Sequence, residues 1–199
     1  MTYFRPALVL LLLFTALTGL AYPFAVTGIG QALFPATARG SLISQCGRGI
    51  ASTVIGQAFT SDRYLWPRPS ATSASDPADP SKTEDAPYNA AASTGSNLGP
   101  TSQKLADRLT ASSEDWRTAG LAQPIPGDAI TTSGSGLDPH ISPAYALAQA
   151  PRIAAARNLP EERVRQLIQT STEGRTFGIL GEPRVNVFHV NRELDRLSP

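Results

Sequence analysis

Between Pro6 and Ala38 the chain carries no charged side chain. The middle of that stretch, ALVLLLLFTALTGLAYPFAV from Ala7 to Val26, would rise about 30 Å as a helix, the thickness of a bilayer's hydrocarbon layer. A charge at the centre of such a helix costs about 2.5–3.5 kcal/mol, so its absence over this length points to a membrane span. Tyr3, Phe4, Tyr22 and Phe24 flank the run, where amphipathic rings anchor at the two interfaces. Pro23 is expected to bend the exit, because it removes a backbone donor. A cleavable signal sequence is the competing reading: Arg5 supplies a short basic start, and Ala36-Thr37-Ala38 resembles a small-residue cleavage site. Signal cores run about 7–15 residues, however, and this one is longer, so a retained anchor is expected. Arg39 and Arg48 on the far flank oppose Arg5 in the positive-inside count. A tail of residues 1–6 is simple to leave inside. The expected layout is therefore a cytoplasmic tail over 1–6, a transmembrane helix over 7–27, and an extracytoplasmic domain over 28–199.

The domain reads as α+β: one mixed helix-and-strand unit behind a single N-terminal span. Ser41–Ile43 and Ala51–Phe59 are β-branched and apolar enough for strands, with Gly47 and Gly49 marking the turn between them. Residues 66–102 hold six of the chain's 17 prolines among Ser, Thr, Asp and Ala. Such a run buries too little apolar surface for regular structure and predicts a long loop, packing back at Tyr88 and Asn97. Residues 102–116 place Leu105, Leu109 and Trp116 on one helical stripe. The segment 121–136 reads as extended, because of Pro124 and Pro126. Ser142-Pro143 is a helix start, with Ser as N-cap and Pro at the first position, and Pro151 must kink or break that helix. A helix after Pro160 puts Glu161 and Glu162 at its positive end and buries Val164, Leu167 and Ile168. Arg184–Val190 reads as a strand by its valines, and 191–197 as a closing helix capped by Asn191.

Catalytic signatures are weak. There is no P-loop run; Gly134 and Gly136 supply two glycines of a dinucleotide fingerprint and Pro139 occupies the third place. Ser133 and Ser135 lack the glycine spacing of a nucleophile elbow. A hydrolytic triad of Ser133, Asp138 and His140 would need three close sequence neighbours to converge. A structural turn explains them better: Asp138 caps N–H groups, Pro139 fixes φ and the glycines permit positive φ. His140, His189 and Cys46 lack metal-ligand spacing. Arg152, Arg157, Arg163 and Arg165 read as a solvated helix face. With a formal net charge of +1, no nucleic-acid partner is expected.

Six stretches in order give the chain a further meaning: LTGLAYP (17–23), ALFPATARGSLI (32–43), VIGQAFTSDRYLWPRPSA (54–71), APYNAAASTGSNLGPTSQKL (86–105), SGSGLDPHISPAYALAQAPRIAAARNL (133–159) and GEPRVNVFHVNRELDRL (181–197). Together they resemble the C subunits of the Kdp potassium-transporting P-type ATPase, the KdpC family, over nearly the whole chain. Two departures stand out. Where that family commonly has Gln-Ala-Asn-Gly-Ser, this chain has Thr37-Ala38-Arg39-Gly40-Ser41, so the nucleotide contact discussed for the Gln does not transfer. Its Ser-Gly-Gly-Ser-Asn is Ser93-Thr94-Gly95-Ser96-Asn97 here.

The resemblance implies an accessory, non-catalytic subunit in a bacterial inner membrane. Its partners would be membrane lipid, a channel-like potassium-translocating subunit and a P-type ATPase subunit. It also implies two kinds of action: a catalytic chaperone that promotes ATP binding by the ATPase subunit, or an extracytoplasmic cap at the potassium entrance. No cofactor is expected on the chain itself, and ATP enters only through the complex. The P-type phosphorylation motif Asp-Lys-Thr-Gly-Thr is absent, its nearest trace being Ser81-Lys82-Thr83, and no Thr-Val-Gly-Tyr-Gly filter is present. The residues expected to shape a loop or dock a partner are Ser96, Asn97, Ser133, Ser135, Leu137, Asp138, Pro139, His140, Ser142 and Pro143.

Overall fold

The computed structural model describes residues 3–121 and 124–197. Its packing divides the chain into two compact units, one up to Ser52 and one from Thr53 on.

The first unit begins with an unbroken helical run, Phe4–Leu33, none of it buried against the rest of the chain. It comprises α1 (Phe4–Ala16), a π-helical turn (Leu17–Ala21) and α2 (Tyr22–Leu33). The helical run therefore extends beyond the 7–27 span read from hydropathy, and Pro23 does not end it. A proline ring clashes with the carbonyl four residues back, here Gly19. The wider π turn lies just before Pro23 and contains Gly19, which gives that ring room. Helix geometry breaks only at Phe34 (φ −133°), before the single turn α3 (Pro35–Ala38). Strands β1 (Leu42–Gln45) and β2 (Arg48–Ser52) then form a tight hairpin. Its two-residue turn is Cys46-Gly47, both at positive φ (51° and 76°), the geometry that matches strand twist. The second strand thus starts earlier than Ala51 and ends at Ser52, where its partner strand runs out at Leu42. Gly49 lies within β2 beside a register shift rather than in the turn.

The second unit is built on a three-stranded antiparallel sheet in which β7 (Arg184–Asn186) lies between β5 (His140–Ile141) and β6 (Thr172–Glu173). Ahead of that sheet, residues 66–102 are mostly irregular but contain a small hairpin, β3 (Ser73–Ser75) with β4 (Thr83–Asp85). Regular structure was not expected there. Asp79 makes it possible, accepting the Ser81 N–H (3.1 Å) and hydroxyl (2.7 Å) to close the turn. Helix α4 (Gln103–Thr118) buries Trp116, while Leu105 and Leu109 are only half-buried. The segment expected to be extended contains one helical turn, α5 (Gly127–Ile130). Both prolines precede it, so neither obstructs its bonds.

Strand β5 (His140–Ile141) leads into α6 (Pro143–Ala148). A new helix, α7 (Ala150–Arg157), starts with Pro151 in its first turn, as the proline requires. Asn158 ends it in the left-handed conformation (φ 54°). Helix α8 (Glu161–Thr170) buries Val164 and Ile168, with Leu167 half-buried, before β6 (Thr172–Glu173) and β7 (Arg184–Asn186). The valine-rich strand expected to reach Val190 stops at Asn186, and α9 (Val187–Leu197) begins four residues before Asn191. Asn186 acts as the cap, accepting the His189 N–H (3.0 Å). Val187, Val190, Asn191 and Leu194 then face the core at helical spacing, and tertiary burial overrides the β propensity of valine. The core gathers Leu65, Trp116, Ile141, Tyr145, Ile153, Ile168, Val185 and Leu194. Trp116 meets the Tyr145 ring edge-on at 5.5 Å.

Candidate functional site

The stretch from Thr131 to Pro143 is cross-linked to both ends of the Pro/Ser-rich segment. The Ser133 N–H donates to the Pro69 carbonyl (3.0 Å), and the Ser70 hydroxyl donates to the Gly136 carbonyl (2.8 Å). Ser70 Oγ also accepts the Tyr88 N–H (3.1 Å). The Thr72 hydroxyl donates to the Ala86 carbonyl (2.6 Å) and accepts the Asn89 N–H (3.1 Å). Two hydroxyls thereby hold three irregular stretches in register. Gly136 lies where they meet, at φ +70°; a Cβ there would overlap Thr72 Cγ2 and stand 2.7 Å from the Thr94 carbonyl. Only glycine fits.

The two serines close the turn from inside. Buried Ser133 accepts the Gly136 N–H (3.1 Å) and lies 3.2 Å from the Ser135 hydroxyl; Ser135 Oγ accepts the Leu137 N–H (3.1 Å). Neither serine is paired with His140, so Ser133, Asp138 and His140 do not form a triad. Asp138 Oδ1 accepts the His140 N–H (2.9 Å) and lies 3.5 Å from its Nδ1, while Oδ2 stands 3.5 Å from Arg68 Nη1. Burial raises the Asp138 carboxyl's pKa. The hydrogen bonds from the His140 side chain and backbone, with the positive charges of His140 and Arg68, outweigh that and hold it below the ordinary carboxylate value. Asp138 is thus an ionised cap. Arg68 also reaches the Thr131 hydroxyl (3.4 Å) and the Thr132 carbonyl (3.3 Å). Pro139 is buried, and its carbonyl accepts the Val187 N–H (3.0 Å), which ties the turn to the start of α9.

Tyr88 packs against this turn from the other side. Its hydroxyl donates to the Arg68 carbonyl (2.9 Å). Burial, then the Asp138 charge, push its phenol pKa upward. It lies against Gly56, where a Cβ would stand 2.5 Å from the ring and 2.7 Å from the Asp138 carbonyl. The Gly56 N–H donates to the Leu137 carbonyl (2.8 Å). The helix start expected at Ser142-Pro143 is present: Ser142 Oγ accepts the Tyr145 N–H (3.0 Å). Asp128 on α5 accepts both the Ser142 N–H (2.7 Å) and its hydroxyl (3.0 Å). Ser96 joins the turn through the Thr132 hydroxyl (3.4 Å). Asn97 is exposed in a left-handed conformation (φ 49°), so the long loop packs back at Tyr88 and not at Asn97.

A second set of polar side chains, which the sequence does not group together, grips residues 62–66. Buried Gln149 pairs with both backbone groups of Trp66 (2.9 and 3.1 Å), and buried Asn191 does the same to Leu65 (2.7 and 3.0 Å). Each amide replaces a neighbouring strand. Arg152 stacks over the Trp66 ring (3.9 Å) and donates to the Asp62 and Tyr64 carbonyls (2.8 and 3.1 Å). The Arg157 side chain is fully buried, donating to the Arg63 carbonyl (2.6 Å), the Leu194 carbonyl (2.9 Å) and Asp195 (2.8 Å). Arg152 and Arg157 are therefore structural clamps, not a solvated face. A signal for one of them exists in the sequence. Gln149, Ile153 and Arg157 recur every four residues, so a polar pair shares the face of a core isoleucine.

Two cavities border the turn. One, of about 400 Å³, is walled by Trp66, Pro67, Arg68, Tyr88, Trp116 and Tyr145. The other, of about 450 Å³, is rimmed by Arg68, Asp128, Asp138, His140, Glu182 and Arg184. Among the described residues, no group of three His, Cys, Asp or Glu side chains is placed to hold a metal. Ser133, Ser135, Asp138 and Ser142 each hold a backbone N–H, an arrangement that fixes shape rather than one that transfers protons.

Residues 4–196 match the family described as "KdpC: K+-transporting ATPase, c chain". The chain is 59% identical over 194 residues to the potassium-transporting ATPase KdpC subunit of Methylorubrum extorquens, covering 98% of this chain and 96% of the relative. It is 57% identical over 196 residues to that of Methylobacterium nodulans, covering 98% of both. It is 57% identical over 194 residues to that of Bradyrhizobium diazoefficiens, covering 98% and 96%. The span, the turn and the clamps described above thus belong to a non-catalytic subunit of a potassium-transporting ATPase, and the chain is a member of the KdpC family.

Proposed function

We propose that this chain anchors in the inner membrane by Phe4–Leu33 with its N-terminus cytoplasmic, and presents its domain on the extracytoplasmic side. There it stabilises the pump and shapes the approach to the potassium entrance of a channel-like subunit. It raises ATP binding and turnover by the P-type ATPase subunit without touching nucleotide. A domain outside cannot reach cytoplasmic ATP, so that effect is a coupling free energy between two sites. The observation that carries the reading is the commitment of Ser133, Ser135, Asp138 and Ser142 to backbone groups of a rigid turn. Such a turn suits docking, in which preorganisation lowers the cost of binding.

Assembly tests this directly. The other pump subunits are purified with and without this chain, and ATP affinity is measured in potassium-dependent turnover. The reading expects weaker ATP binding without the chain, restored by adding it back. It also expects the isolated chain to bind no ATP in equilibrium dialysis. Tight ATP binding by the isolated chain would overturn it.

A further inference from the structure

The hairpin joining β6 to β7 ends in three large apolar side chains with nothing over them. Phe177 is 88% exposed, Ile179 75% and Leu180 57%. Leaving these in water is unfavourable, and a contiguous exposed apolar patch marks a contact surface. From Phe177 to Gly181 no side chain can hydrogen-bond, so the tip lacks the polar anchors and Arg or Tyr contacts that specify a protein partner. Several of its backbone N–H groups are paired within the turn itself. Thr176 N–H donates to the Leu180 carbonyl (2.9 Å), Leu180 and Ile179 N–H to the Thr176 carbonyl (3.0 and 3.3 Å), and Gly178 N–H to the Arg175 carbonyl (3.0 Å). Each N–H paired in this way lowers the cost of bringing the turn into the interfacial layer, where water still reaches the remaining carbonyls. Just behind the tip, Arg175 pairs with Glu182 (2.7 Å) and Arg184 with Glu173 (2.9 Å), which neutralises the stem.

We propose that the tip, Phe177 to Leu180, seats in the interfacial layer of the bilayer as a second membrane contact, steadying the domain at the membrane surface. Only residues 34–52 separate the span from the second unit. Even fully stretched, that linker reaches about 65 Å. The tether keeps the tip at a high local concentration near lipid, so a weak insertion is sufficient. The proposal rests on the membrane span and not on which side the domain occupies.

The test uses the full chain in nanodiscs, made either from ordinary phosphatidylcholine or from lipid brominated near the headgroup. F177W adds an indole at the tip, and A78W adds one at an exposed turn elsewhere in the same unit; the parent gives the Trp66 and Trp116 background. Co-elution with the discs verifies anchoring separately. Bromolipid should quench the added F177W emission several-fold more than that of A78W, and I179S/L180S in the F177W background should abolish the difference. Equal quenching of F177W and A78W overturns the proposal. So does an F177W signal that bromolipid leaves untouched but that shifts to the blue once the other pump subunits are added, since the tip then docks on protein.

Discussion

Two glycines two residues apart in the turn should respond to alanine with opposite signs. At Gly136, φ is +70° and the new Cβ overlaps Thr72 Cγ2 while standing 2.7 Å from the Thr94 carbonyl. Left-handed backbone costs a non-glycine residue about 1–2 kcal/mol, and overpacking a closed site costs about 1–3 kcal/mol. Thr72 cannot turn away, because its hydroxyl is held by the Ala86 carbonyl (2.6 Å) and the Asn89 N–H (3.1 Å). Gly136→Ala should therefore destabilise by about 2–5 kcal/mol, or about 4–20 °C in Tm for a chain of this size. At Gly134 a Cβ meets nothing within 4 Å, and φ lies outside the positive range. Gly134→Ala should be stabilising by about 0.4–1 kcal/mol, through the loss of unfolded-state freedom alone. The assay is thermal unfolding of the full chain in detergent, followed by the fluorescence of buried Trp116. Both variants shifting Tm alike, or Gly136→Ala melting with the parent, would refute this account of how the turn is built.

Three further outcomes follow from the same geometry. The Asp138 carboxyl has a depressed pKa in the folded state, so its contribution is present above the ordinary carboxylate value of about 4 and is lost as pH falls through the folded value. The stability gap between parent and Asp138→Asn, measured by melting across acid pH, should close on the acid side; a gap independent of pH contradicts the assignment. Ser142→Ala removes the α6 N-cap and should cost about 0.5–2 kcal/mol, while Ser142→Thr retains most of it; denaturant midpoints decide. Asn191→Leu strands the buried N–H and carbonyl of Leu65 at about 1–3 kcal/mol each. It should lower the urea midpoint far more than Arg196→Leu, a change on the exposed side of the same helix.

Features written in local chemistry were legible in the sequence. The uncharged run gave the span, Ser142-Pro143 the helix start, Pro151 the break between α6 and α7, and Asp138-Pro139 a rigid turn. Features set by distant partners were not. Val187–Val190 have strand-forming side chains but are helical, because Asn186 caps them and Val187, Val190 and Leu194 must share one buried face. Asn191 looks like a cap by type, yet it serves Leu65, 126 positions away. Arg68, Ser70 and Thr72 sit in a segment whose composition reads as a long loop, and their role appears only when residues 131–140 fold against them; Tyr88 alone was legible there as a packing point. Pro23 lies just after a π turn in a helical run that continues to Leu33, a local irregularity that hydropathy does not reveal.

The sidedness of the domain tests the central claim most directly. Cys46 is the chain's single cysteine and is exposed at the tip of the first hairpin. A second site, S75C in a C46S background, reports from the exposed end of β3. Both are treated with a membrane-impermeant maleimide in intact spheroplasts and again after lysis. An extracytoplasmic domain that acts on ATP only through coupling predicts full labelling of both before lysis. Labelling only after lysis would put the domain beside the ATPase machinery and contradict the account.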